Sequence, residues 1–125
     1  MQIFHVTTAQ EWAAAREAGM YTLSTRDVTL AQEGFIHCSF REQVDGVRQR
    51  WYSDLADIVV LVIETDRLTS PWKAEQLADS SWSSFSEGPY PHIYGPLNLD
   101  AVVDVRPYER GADGLWPEVS AEAVS

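Results

Sequence analysis

Cysteine occurs once in the 125 residues, at Cys38, and histidine only three times. A lone cysteine excludes an internal disulfide. No two of these four residues have the i, i+4 or CxxC spacing of a zinc site, so no metal is expected. Basic residues are also scarce: nine Lys and Arg against nineteen Asp and Glu leave a formal net charge of −10. A protein that grips phosphate backbones carries a basic face, so nucleic acid is not expected as a partner. Long apolar runs are missing. The longest, Ile58 to Ile63, falls far short of a membrane span. The residues after Met1 show no basic region and no cleavage site, so no signal peptide is expected. These absences together predict a cytoplasmic protein with no membrane partner.

What is present suffices for one domain. The apolar fraction is 45 %, with five Trp and five Tyr to fill a core. The domain is expected over residues 1–108. Beyond Tyr108 the chain holds Glu109, Asp113, Glu118 and Glu122 against one Arg, so residues 109–125 read as an acidic, weakly ordered tail, with Trp116 the residue to pack back.

The period of the apolar residues places the elements. Gln2–Val6 alternates as a strand. Thr8 with Glu11 forms a capping box, Trp12, Ala15 and Ala18 line one helix face, and Gly19 stops the helix. Met20–Glu33 has no period and reads as irregular. Gly34–Cys38 is a dense short strand. Ser39 with Glu42 gives a second capping box, followed by a stripe of Val44, Val47, Arg48 and Trp51. After a turn at Asp54–Asp57, the β-branched run Ile58–Glu64 predicts a central strand covered on both faces. Asp66–Pro71 turns, Trp72–Gln76 makes a short strand, and the Ser/Gly/Pro-rich Ala78–Pro91 a loop. His92–Tyr94 is extended and Ala101–Arg106 closes the domain as a strand. This order, with its strands gathered at the end, predicts an α+β class.

The histidines carry the chemistry. They sit in Ile3-Phe4-His5-Val6-Thr7, in Gly34-Phe35-Ile36-His37-Cys38-Ser39 and in Pro91-His92-Ile93-Tyr94-Gly95-Pro96-Leu97. An imidazole among apolar and small residues needs a hydrogen-bond partner or a function. One reading is three hydrogen-bonded core histidines. The other is a single pocket drawn from three strand ends. His37 and Cys38 are neighbours on a strand and point to opposite faces, which argues against a Cys–His nucleophile. Cys38 reads as a small core residue. Ser39 and Thr7-Thr8 are caps first, though a cap beside a strand-end histidine can reach a ligand, and the helix start after His37 offers N–H groups to a phosphate. Tyr94, two residues from His92 on the same strand face, is either core or a surface for a ligand ring. Glu75 is the carboxylate of the short strand before the loop.

The three motifs, with Gln43-Val44 and Ala101-Val102 following the second and third, resemble a bacterial and plant family catalogued as domain of unknown function 952, over about residues 2–108. That family is similar at a distance to the ADP-ribosyltransferases, and the resemblance implies their fold: a compact split, mostly antiparallel sheet with two N-terminal helices. It puts His5 in the place of the ribose-binding His, His37 in that of the Tyr against nicotinamide, and His92 at or near the catalytic Glu. A histidine has the wrong charge to stabilise an oxocarbenium-like transition state, so Glu75 would have to supply the carboxylate. RNA 2′-phosphotransferases of the same superfamily also use histidines, and Arg26 and Arg41 are candidates for their phosphates. The expectation is a three-histidine pocket for a nucleotide or sugar nucleotide of the NAD or ADP-ribose kind. In it His37, His92 and Glu75 are catalytic, and His5, Thr7, Ser39 and Tyr94 bind the ligand. The alternative is a non-catalytic binding or structural domain.

Overall fold

The computed structural model describes residues 1–25, 28–52, 54, 55, 57–75 and 89–108. Arg26, most of the loop expected at Ala78–Pro91, and the tail beyond Tyr108 with Trp116 lie outside these residues. Strand β1 (Gln2–Thr8) leads into helix α1 (Ala9–Ala18). Thr8 Oγ1 accepts the Glu11 amide at 3.1 Å, and Glu11 Oε1 accepts the Thr8 amide at 3.3 Å, the capping box read from the sequence. Gly19, at φ 84°, closes the helix with its N–H on the Ala15 carbonyl.

Met20–Glu33 is not irregular. It holds β2 (Met20–Tyr21), β3 (Leu23–Thr25), β4 (Val28–Thr29) and the one-turn helix α2 (Leu30–Glu33). Pieces this short are set by their partners and show no period of their own. Thr29 and Gln32 cap α2 reciprocally. Then come β5 (Ile36–His37), a 3₁₀ turn at Arg41–Gln43 and α3 (Val44–Trp51). Here the expected Ser39 cap fails. The Ser39 backbone pairs with Phe4 in both directions, at 2.7 and 2.8 Å, so Ser39 forms an extended bridge just beyond β5. The turn begins one residue later, at Phe40, whose amide donates to Gln43 Oε1 at 2.8 Å.

The rest is β6 (Ile58–Glu64), β7 (Trp72–Glu75), β8 (Tyr90–Ile93), β9 (Leu97–Asn98) and β10 (Val102–Pro107). All described strand pairs are antiparallel, which makes this a mixed α+β protein. β6 lies between β1 and β10, and β8 lies between β5 and β7. The Phe4–Ser39 bridge joins these two three-stranded sheets at one point, after which they separate.

The pleat sorts the core. Phe4 and Val6, with Val60 and Val62, face Val44 and Val47 of α3. Ile3, with Leu61 and Ile63, faces Ala15 of α1, Ile36 and Ile93. β6 is therefore buried on both faces, as its uninterrupted apolar run implied. Each such side chain contributes about 1.5–3 kcal/mol relative to exposure.

Candidate functional site

β5 and β8 run side by side with His37 opposite His92, and Lys73 of β7 stands opposite His92 on its other edge. Directly paired residues share a face. One sheet face therefore gathers His37, His92 and Lys73, with Glu75 two residues along from Lys73. The His92 Nδ1–H donates to Glu75 Oε1 at 3.1 Å, and the Tyr94 hydroxyl donates to the same oxygen. His37 Nε2 lies 3.4 Å from Glu33 Oε1, four residues earlier in the chain. The two imidazoles meet edge to face at 5.1 Å between ring centres. Phe35 stacks on His92 at 4.2 Å and touches the edges of His37 and Tyr94. The Lys73 ammonium is 5.5 Å from the Tyr94 ring centre.

Burial governs the charges of this face. His37 and His92 are 5 % and 1 % exposed, while the Glu75 side chain keeps 32 % of its surface. Loss of hydration lowers the His37 pKa to about 3, with His92 and His5 adding to the effect. Burial also lowers that of His92, against the pull of Glu75. Both rings are neutral at pH 7. The hydrogen bonds from Tyr94 and then His92 lower the Glu75 pKa, and that same bond raises the Tyr94 hydroxyl to about 12. Because Nδ1 of His92 carries the hydrogen given to Glu75, Nε2 presents its lone pair. That atom is buried and has no hydrogen-bond partner among the described residues. The face thus joins a fixed anion, a neutral base and an aromatic wall.

His5 is placed differently. It follows Phe4 on β1, so the pleat turns it to the opposite side, towards α1. Its Nδ1–H donates to the His37 carbonyl at 2.6 Å, across the gap where the two sheets part. Its Nε2 meets the Tyr21 hydroxyl at 2.7 Å. That hydroxyl lies 3.0 Å from Thr7 Oγ1, which donates to Glu11 Oε1 at 2.8 Å. Four contacts in a row need four hydrogens. A neutral imidazole, a phenol and a threonine supply three, because the carbonyl and carboxylate only accept. Protonating His5 would complete the row, but burial lowers its pKa to about 4. At neutral pH the Tyr21 hydroxyl has one hydrogen for two neighbours.

The seven residues singled out from the sequence therefore separate. His37, His92, Glu75 and Tyr94 meet on one face. His5 and Thr7 form a second, buried network that touches the first at the His37 backbone. Ser39 is buried, with its backbone held by Phe4. Arg41 lies over the Phe4 ring at 4.9 Å. Glu33, Phe35, Lys73 and Tyr21 were not singled out. Phe35 and Lys73 stand two residues from His37 and Glu75, the same-face spacing of a strand, and that spacing was the available signal. Among the described residues no group of three or more His, Cys, Asp or Glu is arranged to hold a metal ion. Nor is any helix among them long and apolar enough to cross a membrane.

No curated protein matches the chain. Among solved structures, the crystal structure of protein CC0527 from Caulobacter crescentus is 28 % identical over 94 % of each chain, with a TM-score of 0.75. The solution NMR structure of CC0527 is 30 % identical over 94 % of this chain and 92 % of that one, with a TM-score of 0.70. The family described as protein of unknown function (DUF952) matches residues 6–105, which include His37 and His92 with their strands but only the end of β1, without His5. With four fifths of its length so matched, the chain belongs to that family.

Proposed function

We propose that the His37–His92 face binds a nucleotide or sugar nucleotide of the NAD or ADP-ribose kind, and that Glu75 provides the carboxylate for transfer of its sugar. One observation carries the reading: Glu75 Oε1 lies 3.1 Å from His92 Nδ1. The resemblance to ADP-ribosyltransferases puts His92 where a catalytic Glu is needed, and a carboxylate arrives there from the neighbouring strand. In this reading Glu75 holds a ribose hydroxyl and stabilises positive charge as the glycosidic bond breaks. His92 orients that carboxylate through its Nδ1–H. Tyr94 and His37 offer ring surfaces to the base or sugar. His5 holds the His37 backbone in place, and Thr7 holds the Tyr21 hydroxyl beside His5.

A second reading is a binding or structural domain without chemistry, and the near-complete burial of both imidazoles favours it. Incubation with NAD separates the two. The transferase reading expects nicotinamide release that Glu75→Gln abolishes with the fold retained. No release, with a thermal shift from millimolar ADP-ribose that His92→Gln removes, leaves binding alone. No release and no shift with any nucleotide or sugar nucleotide rejects the ligand as well, since binding only to the native state must raise its melting temperature.

A further inference from the structure

A cavity of about 170 Å³ opens between α1 and β2. That is roughly the volume of six water molecules, enough for a ligand of about five or six non-hydrogen atoms. Its apolar wall is Ala14, Ala15, Ala18, Met20 and Leu23, and its carboxylate is Glu11. Glu11 Oε1 accepts from the Thr7 hydroxyl and the Thr8 amide. Oε2 takes no hydrogen bond from any described residue and is not among the buried atoms left without a partner. No described cation pairs with Glu11. A half-buried carboxylate lacking a cation, beside a short hydrocarbon wall, is complementary to a positive head on a short apolar stem.

We propose that this cavity binds a small primary alkylammonium compound, with the ammonium on Glu11 Oε2 and the alkyl chain along α1. The site is separate from the His37–His92 face but is wired to it. Glu11 ends the row of hydrogen bonds that runs through Thr7 and Tyr21 to His5, and so to the His37 carbonyl. A bound ammonium offsets the Glu11 charge and changes the environment of the His5 ring.

The test is an NMR titration of the whole chain at constant ionic strength with butylammonium chloride, set against 1-butanol, which has the same stem and no charge. Butylammonium should move the amide signals of Ala14, Ala18, Met20 and Leu23, and the His5 ring signal, along saturable curves. Butanol should bind about fivefold more weakly, the factor that corresponds to one modest charge contact. Glu11→Gln keeps the capping-box hydrogen bonds, so its fold and melting temperature should survive while the preference for the ammonium disappears. Ala14→Leu should fill the cavity and block both probes, and the charge-matched control Glu42→Gln should leave binding as it was. The proposal is overturned if Glu11→Gln binds butylammonium as the natural chain does, if the shifts fail to saturate, or if they fall elsewhere on the molecule.

Discussion

At the scale of single residues, the two histidine networks respond differently to small changes. Tyr21→Phe removes the hydroxyl between His5 and Thr7 and strands a buried ring nitrogen. It should cost about 1–3 kcal/mol in urea unfolding, with little change in the slope of the transition. Glu75→Gln acts on charge. Burial already lowers the His92 pKa and Glu75 opposes it, so without the carboxylate the pKa should fall further. An NMR titration of the His92 ring would read this, and a rise would contradict the Glu75–His92 pairing. His37 should titrate almost unchanged in that variant, because its nearest carboxylate is Glu33.

At the scale of elements, Thr8→Ala should cost about 1 kcal/mol by thermal or urea unfolding, through loss of the α1 cap. Thr29→Ala should cost less, since it caps an exposed single turn. This difference also marks how far the elements were legible. The Thr8–Glu11 box preceded a long periodic segment, and the β6 run had no reading other than a covered strand. The Ser39–Glu42 spacing was equally well formed yet served no cap, because the Ser39 backbone was already claimed by Phe4, thirty-five residues away. Local spacing cannot register such a partner. The Thr29–Gln32 cap leaves little mark on the sequence because α2 is a single turn with no apolar stripe to announce it. At the site, the His37–His92 pairing follows from two strand motifs, but the turn of His5 to the opposite face depends on how two sheets meet.

At the scale of the whole molecule, the neutral buried histidines set the response to acid. His5 and His37 have folded pKa values of about 4 and about 3, below the unfolded value of 6.5. Between pH 6.5 and about 4 the unfolded chain therefore binds protons that the folded chain refuses. Stability should be level with respect to these rings above about pH 6.5. It should then fall as pH drops, by at most about 1.4 kcal/mol per pH unit for each ring, until the folded rings also protonate. Urea unfolding at pH 7 and pH 5 checks this. His5→Asn should flatten the slope over that interval by one ring's share, and an unchanged slope would mean that His5 is not held neutral.

The place of β6 between β1 and β10 bears on how the chain reaches this state. Gln2 pairs with Glu64 and Thr8 with Ile58, so β1 is made well before the strand it pairs with along its whole length. Its other neighbour, Ser39, also lies well downstream. During synthesis most of β1 must wait without a strand partner, with Ser39 available only to Phe4, until β6 leaves the ribosome and closes a long loop. Such high contact order predicts refolding on the millisecond-to-second scale. It also makes Ile3-Phe4-His5-Val6 a segment that a chaperone or a second nascent chain meets before its own partner does.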